Sequence, residues 1–176
     1  IRQMSHQLHS STLEHAGLAA ALKSLCGEFG VNGPLNVELK LPRSDVHLSQ
    51  DIALCLYRIA QEALRNIVKH AQAHSAAIEL AVTDAQAILT IRDDGVGFDD
   101  ELARRAGGLG LVSMEERVRM LDGQLWIQSK IGVGTELHAS IPIKRPIKRP
   151  IESSVESSMG KEAPVGNAES IRRDEQ

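Results

Sequence analysis

Apolar positions recur along this chain first at helical and then at strand spacing. Met4 and Leu8, and then Leu13, Leu18, Ala21, Leu22 and Leu25, predict two helical stretches with a break near Ser10-Ser11, where a hydroxyl can cap the second. That helix is expected to end between Gly27 and Gly33. Leu35 to Leu41 alternates apolar and polar with a period of two and is closed by Pro42, which predicts a half-buried strand. A long helix is expected from about Ser49 to Ala73, with Leu56, Ala60, Ala63, Leu64, Ile67 and Ala71 at threes and fours forming its inward face. Two strands follow, Ala77 to Val82 and Ala87 to Arg92, around a Thr-Asp-Ala-Gln turn. After a glycine-rich stretch, Leu111 to Leu121 predicts a helix, and Gln124 to Ser129 and Thr135 to Ile141 predict two strands joined through Lys-Ile-Gly-Val-Gly.

Five strands and about three helices, with hairpin connections late in the chain, predict an α/β (α+β) two-layer sandwich with a mixed five-stranded sheet, preceded by a helical segment. No GxGxxG motif opens a helix after the first strand, which excludes a dinucleotide-binding Rossmann unit and a Walker P-loop. Beyond Ile143 the rhythm stops. Residues 144–176 carry a doubled Ile-Lys-Arg-Pro and then Ser, Glu, Gly and Asn, a composition expected to remain a disordered tail because it has little apolar surface to offset the entropy of ordering.

Composition narrows the function classes. Of 176 residues, 42% are apolar and 24% charged, and the net charge is -3. The tail holds seven Lys/Arg and six Asp/Glu, which leaves thirteen against seventeen in residues 1–143, so the folded part is the more acidic. Only Phe29, Tyr57, Phe98 and Trp126 are aromatic. That argues against a single-strand nucleic-acid reader, which stacks bases on aromatic side chains along a basic groove. No apolar run reaches the roughly 18–20 residues that span a bilayer. Cys26 and Cys55 are far apart in apolar helical sequence and are expected to be buried, reduced thiols of a cytosolic protein rather than a disulfide or zinc framework.

Candidate chemistry gathers in four places. Glu62, Asn66, Lys69 and His70 lie at i, i+4, i+7 and i+8 of the long helix, on one stripe turned away from its aliphatic face. An amide oxygen such as that of Asn66 suits Mg²⁺, which keeps waters and phosphate oxygens as partners. Glu62 can orient or deprotonate a nucleophile, while Lys69 and His70 can meet phosphate or ribose oxygens. Taken alone, such a stripe is usually a solvated face. The second place is Ile91-Arg-Asp-Asp-Gly-Val-Gly-Phe98, where a strand ends in Asp93 and turns through Gly95 and Gly97. A carboxylate fixed there can accept a hydrogen bond from an exocyclic amine and reject a base lacking it by roughly 10⁴; a solvated Asp-Asp turn is the plain alternative. The third is Ala106-Gly-Gly-Leu-Gly-Leu111, before a helix whose free N–H groups suit anions, behind a charged segment from Asp99 to Arg105 that can form a lid. The fourth is Gly132-Val-Gly-Thr-Glu-Leu137, where the Thr135 hydroxyl can support a base or be part of a simple hairpin.

Their order and spacing carry more than any one of them. Gln61-Glu-Ala-Leu-Arg-Asn66-Ile-Val-Lys-His70-Ala resembles the N box of the histidine-kinase, Hsp90, MutL and gyrase ATPase superfamily. Asp93-Asp-Gly95-Val-Gly97 is similar to its DxGxG box, Gly108-Leu-Gly110-Leu to its GxGL box, and Gly134-Thr135 to its last box. Within it, Gln-Glu-Ala-Leu and Leu-Gly-Leu-x-x-Met-Glu-Glu-Arg resemble sensor histidine kinases that signal to NarL-type response regulators, and the stretch from Ser5 to Leu22 resembles the second helix of their dimerisation hairpin. The resemblance implies a partial hairpin over 1–30 and an ATPase domain over 31–143, and leaves the tail over 144–176 outside it. It implies that Asn66 ligates Mg²⁺, that Glu62 assists phosphoryl transfer from ATP, and that Lys69 and His70 face the phosphates. Asp93 would take the adenine amine in a pocket shaped by Gly95 and Gly97. Gly108, Leu109, Gly110 and Leu111 would close over the phosphates, and Thr135 would support the base. Catalysis would be mainly positioning and charge neutralisation.

The family's phosphoacceptor is a His followed by an acidic residue, and none of His6, His9, His15, His47, His70, His74 and His138 is so followed. The acceptor helix is therefore expected upstream of Ile1, and His6, His9 and His15 are read as surface histidines rather than a metal cluster. The expected function is the ATP-binding catalytic part of a two-component sensor histidine kinase, a homodimer at full length with a NarL-type regulator as partner and no nucleic acid. It would be cytoplasmic, or the cytosolic portion of a membrane-anchored sensor. An anti-sigma-type serine kinase and an ATP-dependent conformational clamp with the same fold are the alternatives, and the helical front segment argues against both.

Overall fold

The computed structural model describes residues 2–30, 35–43, 48–99 and 109–143, with the side chains of 1–12, 14, 15 and 109 left aside. Gly108, the 100–105 part of the charged segment, the tail and the side chains of His6, His9 and His15 lie outside the described residues.

Helix α1 runs from Arg2 to Gly30 but is broken at Gly17, whose backbone sits at φ 79°, ψ 174°. The break expected at Ser10-Ser11 is thus displaced. Two serines can stay inside a helix at modest cost, whereas a positive φ with an extended ψ is open almost only to glycine. Nothing lies near the position a Cβ would take at Gly17, so the backbone angle alone demands the glycine. After the break, Leu18, Ala21, Leu22, Leu25 and Cys26 are buried on one face, in the same core as the rest of the chain.

Strand β1 (Asn36–Lys40) leads to α2 (Gln50–Asn66), which Ser49 caps by accepting from the Ile52 N–H at 3.4 Å. The helix expected to Ala73 ends two residues earlier: its last part, Ile67–Ala71, is a π-helical turn closed by Gln72 in the left-handed region. Strands β2 (Ser75–Val82) and β3 (Gln86–Asp93), helix α3 (Leu109–Arg119), and strands β4 (Gln124–Lys130) and β5 (Gly134–Pro142) complete the order.

The sheet is mixed and five-stranded, in the order β1-β2-β3-β5-β4, as expected. Only β1 and β2 are parallel; the other neighbours are antiparallel. Period-two alternation sends Ile78 and Leu80, Ala87, Leu89 and Ile91, Ile127, and Leu137, Ala139 and Ile141 to the buried face. There they join Leu56, Ile59, Ala60, Ala63 and Leu64 of α2 and Met114 and Val118 of α3. Burying each large aliphatic side chain contributes about 1.5–3 kcal/mol. Cys26 and Cys55 are free and buried in this core, and burial pushes both thiols up to about 11.

Candidate nucleotide site

The last residue of β3 and the first inward residue of β5 set the floor of the site. Asp93 and Thr135 are direct partners across the antiparallel pair, and Thr135 is paired in turn with Ser129 of β4. A carboxylate and two hydroxyls therefore stand in one row on the buried face. Asp93 Oδ1 accepts from the Gly95 N–H at 2.9 Å. Burial pushes its carboxyl above the ordinary Asp range, opposed by hydrogen bonds from Gly95 and Thr135. Ser129 Oγ lies 3.0 Å from Thr135 Oγ1 and accepts from the Phe98 N–H at 2.9 Å. Ser129 was not singled out in the sequence, and its only signal there is its position opposite Thr135 once the β4–β5 register is known.

The turn after Asp93 is pressed against the end of the long helix. Val96 donates its N–H to the Ala71 carbonyl at 2.7 Å, which satisfies one of the orphan carbonyls of the helix end. A Cβ at Gly95 would lie 2.7 Å from that of Ala71, closer than real contacts allow. At Gly97, φ is 62° and a Cβ would strike the Lys130 backbone. Both glycines are therefore required by close packing, and Gly97 by backbone angle as well. Asp94, by contrast, faces away: it accepts from the His74 and Ser75 N–H groups at 2.8 and 2.9 Å and from Ser75 Oγ at 2.7 Å. These bonds hold its carboxyl down at about 2. The Asp-Asp pair thus divides into one carboxylate aimed inward and one that fastens the start of β2.

A cavity of about 490 Å³ opens between α2, α3 and this end of the sheet. Glu62, Asn66, Lys69, His70, Asp93, Gly97, Gly110, Leu111 and Thr135 all line it. Its apolar walls are Ala63, Ile67, Ala71, Ile91, Met114, Ile127 and Leu137, and Phe98 is the one Phe, Tyr or Trp among the described lining residues. All four residues of the helical stripe border the cavity, Glu62 and Asn66 half-buried and Lys69 and His70 exposed, even though the helix widens to a π turn at Ile67. Such turns recur at functional sites because they re-aim side chains. Gly95 stands behind Asp93 rather than on the cavity wall. Leu109 opens α3, with its backbone described and its side chain not.

Gly110 sits where α3 begins and α2 passes. A Cβ there would run into the Glu62 carboxylate and lie 3.4 Å from Asn66 Nδ2. The glycine therefore lets the N-terminus of α3 close on Glu62 and Asn66. These two, one turn apart, present oxygen donors at the cavity, while among the described residues no three His, Cys, Asp or Glu side chains converge as a metal cage. A donor set of that kind suits a hard cation that completes its shell with water and phosphate oxygens.

Comparison with known proteins identifies the family. The family model described as histidine kinase-, DNA gyrase B-, and HSP90-like ATPase matches residues 52–145. The sensor histidine kinase MctS of Rhizobium johnstonii is 37% identical over 145 residues, 81% of this chain and 31% of MctS. The sensor histidine kinase ComP of Bacillus subtilis is 37% identical over 143 residues, 81% of this chain and 19% of ComP. The chain thus spans less than a third of the length of either relative. Among solved structures, the blue-light activated histidine kinase of Erythrobacter litoralis superposes with a TM-score of 0.61 at 23% identity, over 72% of this chain and 42% of that one. The histidine kinase AdeS of Acinetobacter baumannii gives 0.60 at 17% identity, over 81% and 77%. At those identities the two structures speak for the fold.

Proposed function

The chain belongs to the histidine kinase-, DNA gyrase B- and HSP90-like ATPase family, and on that premise we propose that it is the ATP-binding catalytic part of a two-component sensor histidine kinase. One observation carries the reading: residues from all the matched boxes that fall among the described residues meet around one cavity, with Asp93 and Asn66 both on its wall. Asp93 accepts the adenine amine, Thr135 supports the base, and the aliphatic walls hold the ring without stacking. Asn66 and Glu62 stand at the phosphates with Lys69 and His70, and Leu109, Gly110 and Leu111 at the start of α3 close over them. Mg²⁺ fits the oxygen donors Asn66 and Glu62; when bound it neutralises phosphate charge. Glu62 orients the attacking imidazole of a histidine outside this chain, and the phosphoryl group passes on to an aspartate of a NarL-type response regulator.

The half of α1 after Gly17 is packed into the ATPase core. Leu13, before Gly17, is buried in the same core, so the helix expected to pair two subunits over 1–30 shares residues with the ATPase core. No described helix is long and apolar enough to cross a membrane; we place the site in the cytoplasm because that is where ATP is.

Mg²⁺ dependence tests the assignment. Titration of a non-hydrolysable ATP analogue is expected to show tighter binding with Mg²⁺ than with EDTA in the native chain, and no such gain in Asn66→Ala. An equal Mg²⁺ effect in both proteins would remove Asn66 from the metal site.

A further inference from the structure

Ser129 stands behind the wall of the nucleotide cavity, half-buried, and is bonded to two residues that line it, Phe98 and Thr135. Its Oγ accepts from the Phe98 N–H at 2.9 Å, which fixes the oxygen. Its single proton has two acceptors in reach, the Gly134 carbonyl at 3.2 Å and Thr135 Oγ1 at 3.0 Å. The choice between them is coupled to Asp93, the β3 partner of Thr135. With the proton on the Gly134 carbonyl, Thr135 must spend its own proton on Ser129; with the proton on Thr135, that second proton is left for Asp93. An ionised carboxylate is the strongest acceptor in this row, and the Thr135 hydroxyl is one of the donors that lower the Asp93 carboxyl. The row therefore runs one way, from the Phe98 N–H to Ser129, from Ser129 to Thr135 and from Thr135 to Asp93, each bond polarising the next.

We propose that Ser129 is a positioning residue for base recognition, locking the Thr135 hydroxyl toward Asp93 so that this end of the cavity offers the base only acceptors; this rests on the adenine reading above. A 6-amino group finds two acceptors there, the carboxylate and the second lone pair of Thr135 Oγ1. A 6-oxo group finds no donor, and a site built for one hydrogen-bonding pattern rejects the ligand that lacks it. Without Ser129 the Thr135 side chain is free to turn. Its hydroxyl then donates to a 6-oxo group as readily as it accepts from an amine, and discrimination falls.

The test compares calorimetric titrations of the non-hydrolysable ATP analogue and its inosine counterpart, both with Mg²⁺, in the native chain, Ser129→Ala and Ser129→Thr. The native chain is expected to prefer adenine by ~10-fold or more, the size of one hydrogen bond to a charged group. Ser129→Ala is expected to cut that preference by ~3-fold or more, the size of one neutral hydrogen bond. Ser129→Thr keeps the hydroxyl on a side chain suited to a strand and is expected to restore it. A merely structural loss would lower both affinities alike and leave the preference unchanged, and that result overturns the proposal. A second arm needs no nucleotide: the Asp93 carboxyl, followed by carbon NMR as pH falls, is expected to titrate at higher pH in Ser129→Ala, because the polarised Thr135 donor is lost. The charged groups around it, Asp94 and, on the cavity, Glu62, Lys69 and His70, are the same in both proteins. An unmoved Asp93 titration overturns the proposal. A native chain with no adenine preference would instead refute the adenine reading, with the Asp93 titration still deciding whether Ser129 orders the row.

Discussion

Asp93 and Asp94 are adjacent and chemically identical, yet the fold gives them opposite tasks. Strand alternation sends Asp93 to the buried face beside Thr135, where burial raises its carboxyl, and leaves Asp94 outside, where three donors from His74 and Ser75 lower it. The consequence for binding has a definite sign. On the proposed reading the adenine amine donates to an ionised Asp93, and a carboxyl with a raised value takes up its proton sooner as pH falls. Affinity for the ATP analogue is therefore expected to be full near neutrality and to decline on acidification from a pH above the ordinary Asp value of about 3.9, while the fold persists. Calorimetric titrations at a series of pH values check this, with far-UV circular dichroism to follow the fold. Sequence inspection located Asp93 because a strand and two glycines frame it. It had no means to separate the roles of the two carboxylates, since that depends on which face each residue takes. Ser129 escaped for a related reason: its link to Thr135 exists only through the register of β4 on β5.

At the scale of elements, all five strands and the helices were legible, because period-two and 3.6-residue rhythms record which face is buried. What the rhythm does not record is backbone conformation imposed by a neighbour. The π turn at Ile67–Ala71 ends against Gly95 and Val96, residues far along the chain, and no local pattern announces it. The break in α1 was expected at a capping serine pair and stands at Gly17, where backbone freedom outweighs a cap. That shift redraws the first helix, because Leu22, beyond Gly17, is completely buried. Leu22→Ala is expected to destabilise the ATPase unit by about 2–5 kcal/mol, the usual cost of a cavity left by a buried leucine. Denaturant unfolding measures it, and a loss below ~0.5 kcal/mol would mean that this half of α1 is not integral to the core.

For the whole molecule, the shortage of aromatic residues fits the site that the chain builds. On the proposed reading, a base held between aliphatic walls by one carboxylate has no need of stacking platforms, and Phe98 is the one Phe, Tyr or Trp among the described residues lining the cavity. The ordering of the boxes was legible from the sequence, whereas their convergence needed the fold: residues from α2, β3, α3 and β5 come together only because β5 lies between β3 and β4. None of the seven histidines is followed by an acidic residue. Incubated alone with labelled ATP and Mg²⁺, the chain is thus expected to bind nucleotide without acquiring acid-labile, alkali-stable phosphate. Appearance of phosphohistidine on it would show that one of its own histidines is the acceptor.

The account depends most on the Asp93 carboxylate as the adenine contact. Its most direct test is calorimetric titration of the ATP analogue with Mg²⁺ into the native chain and Asp93→Asn, a change that keeps an oxygen able to accept from Gly95 while removing the charge. The expected result is one-site binding by the native chain and a loss of ~10-fold or more in the variant, in line with about 1.5–3 kcal/mol for a hydrogen bond to a charged group. Unchanged affinity in a folded Asp93→Asn protein would contradict it.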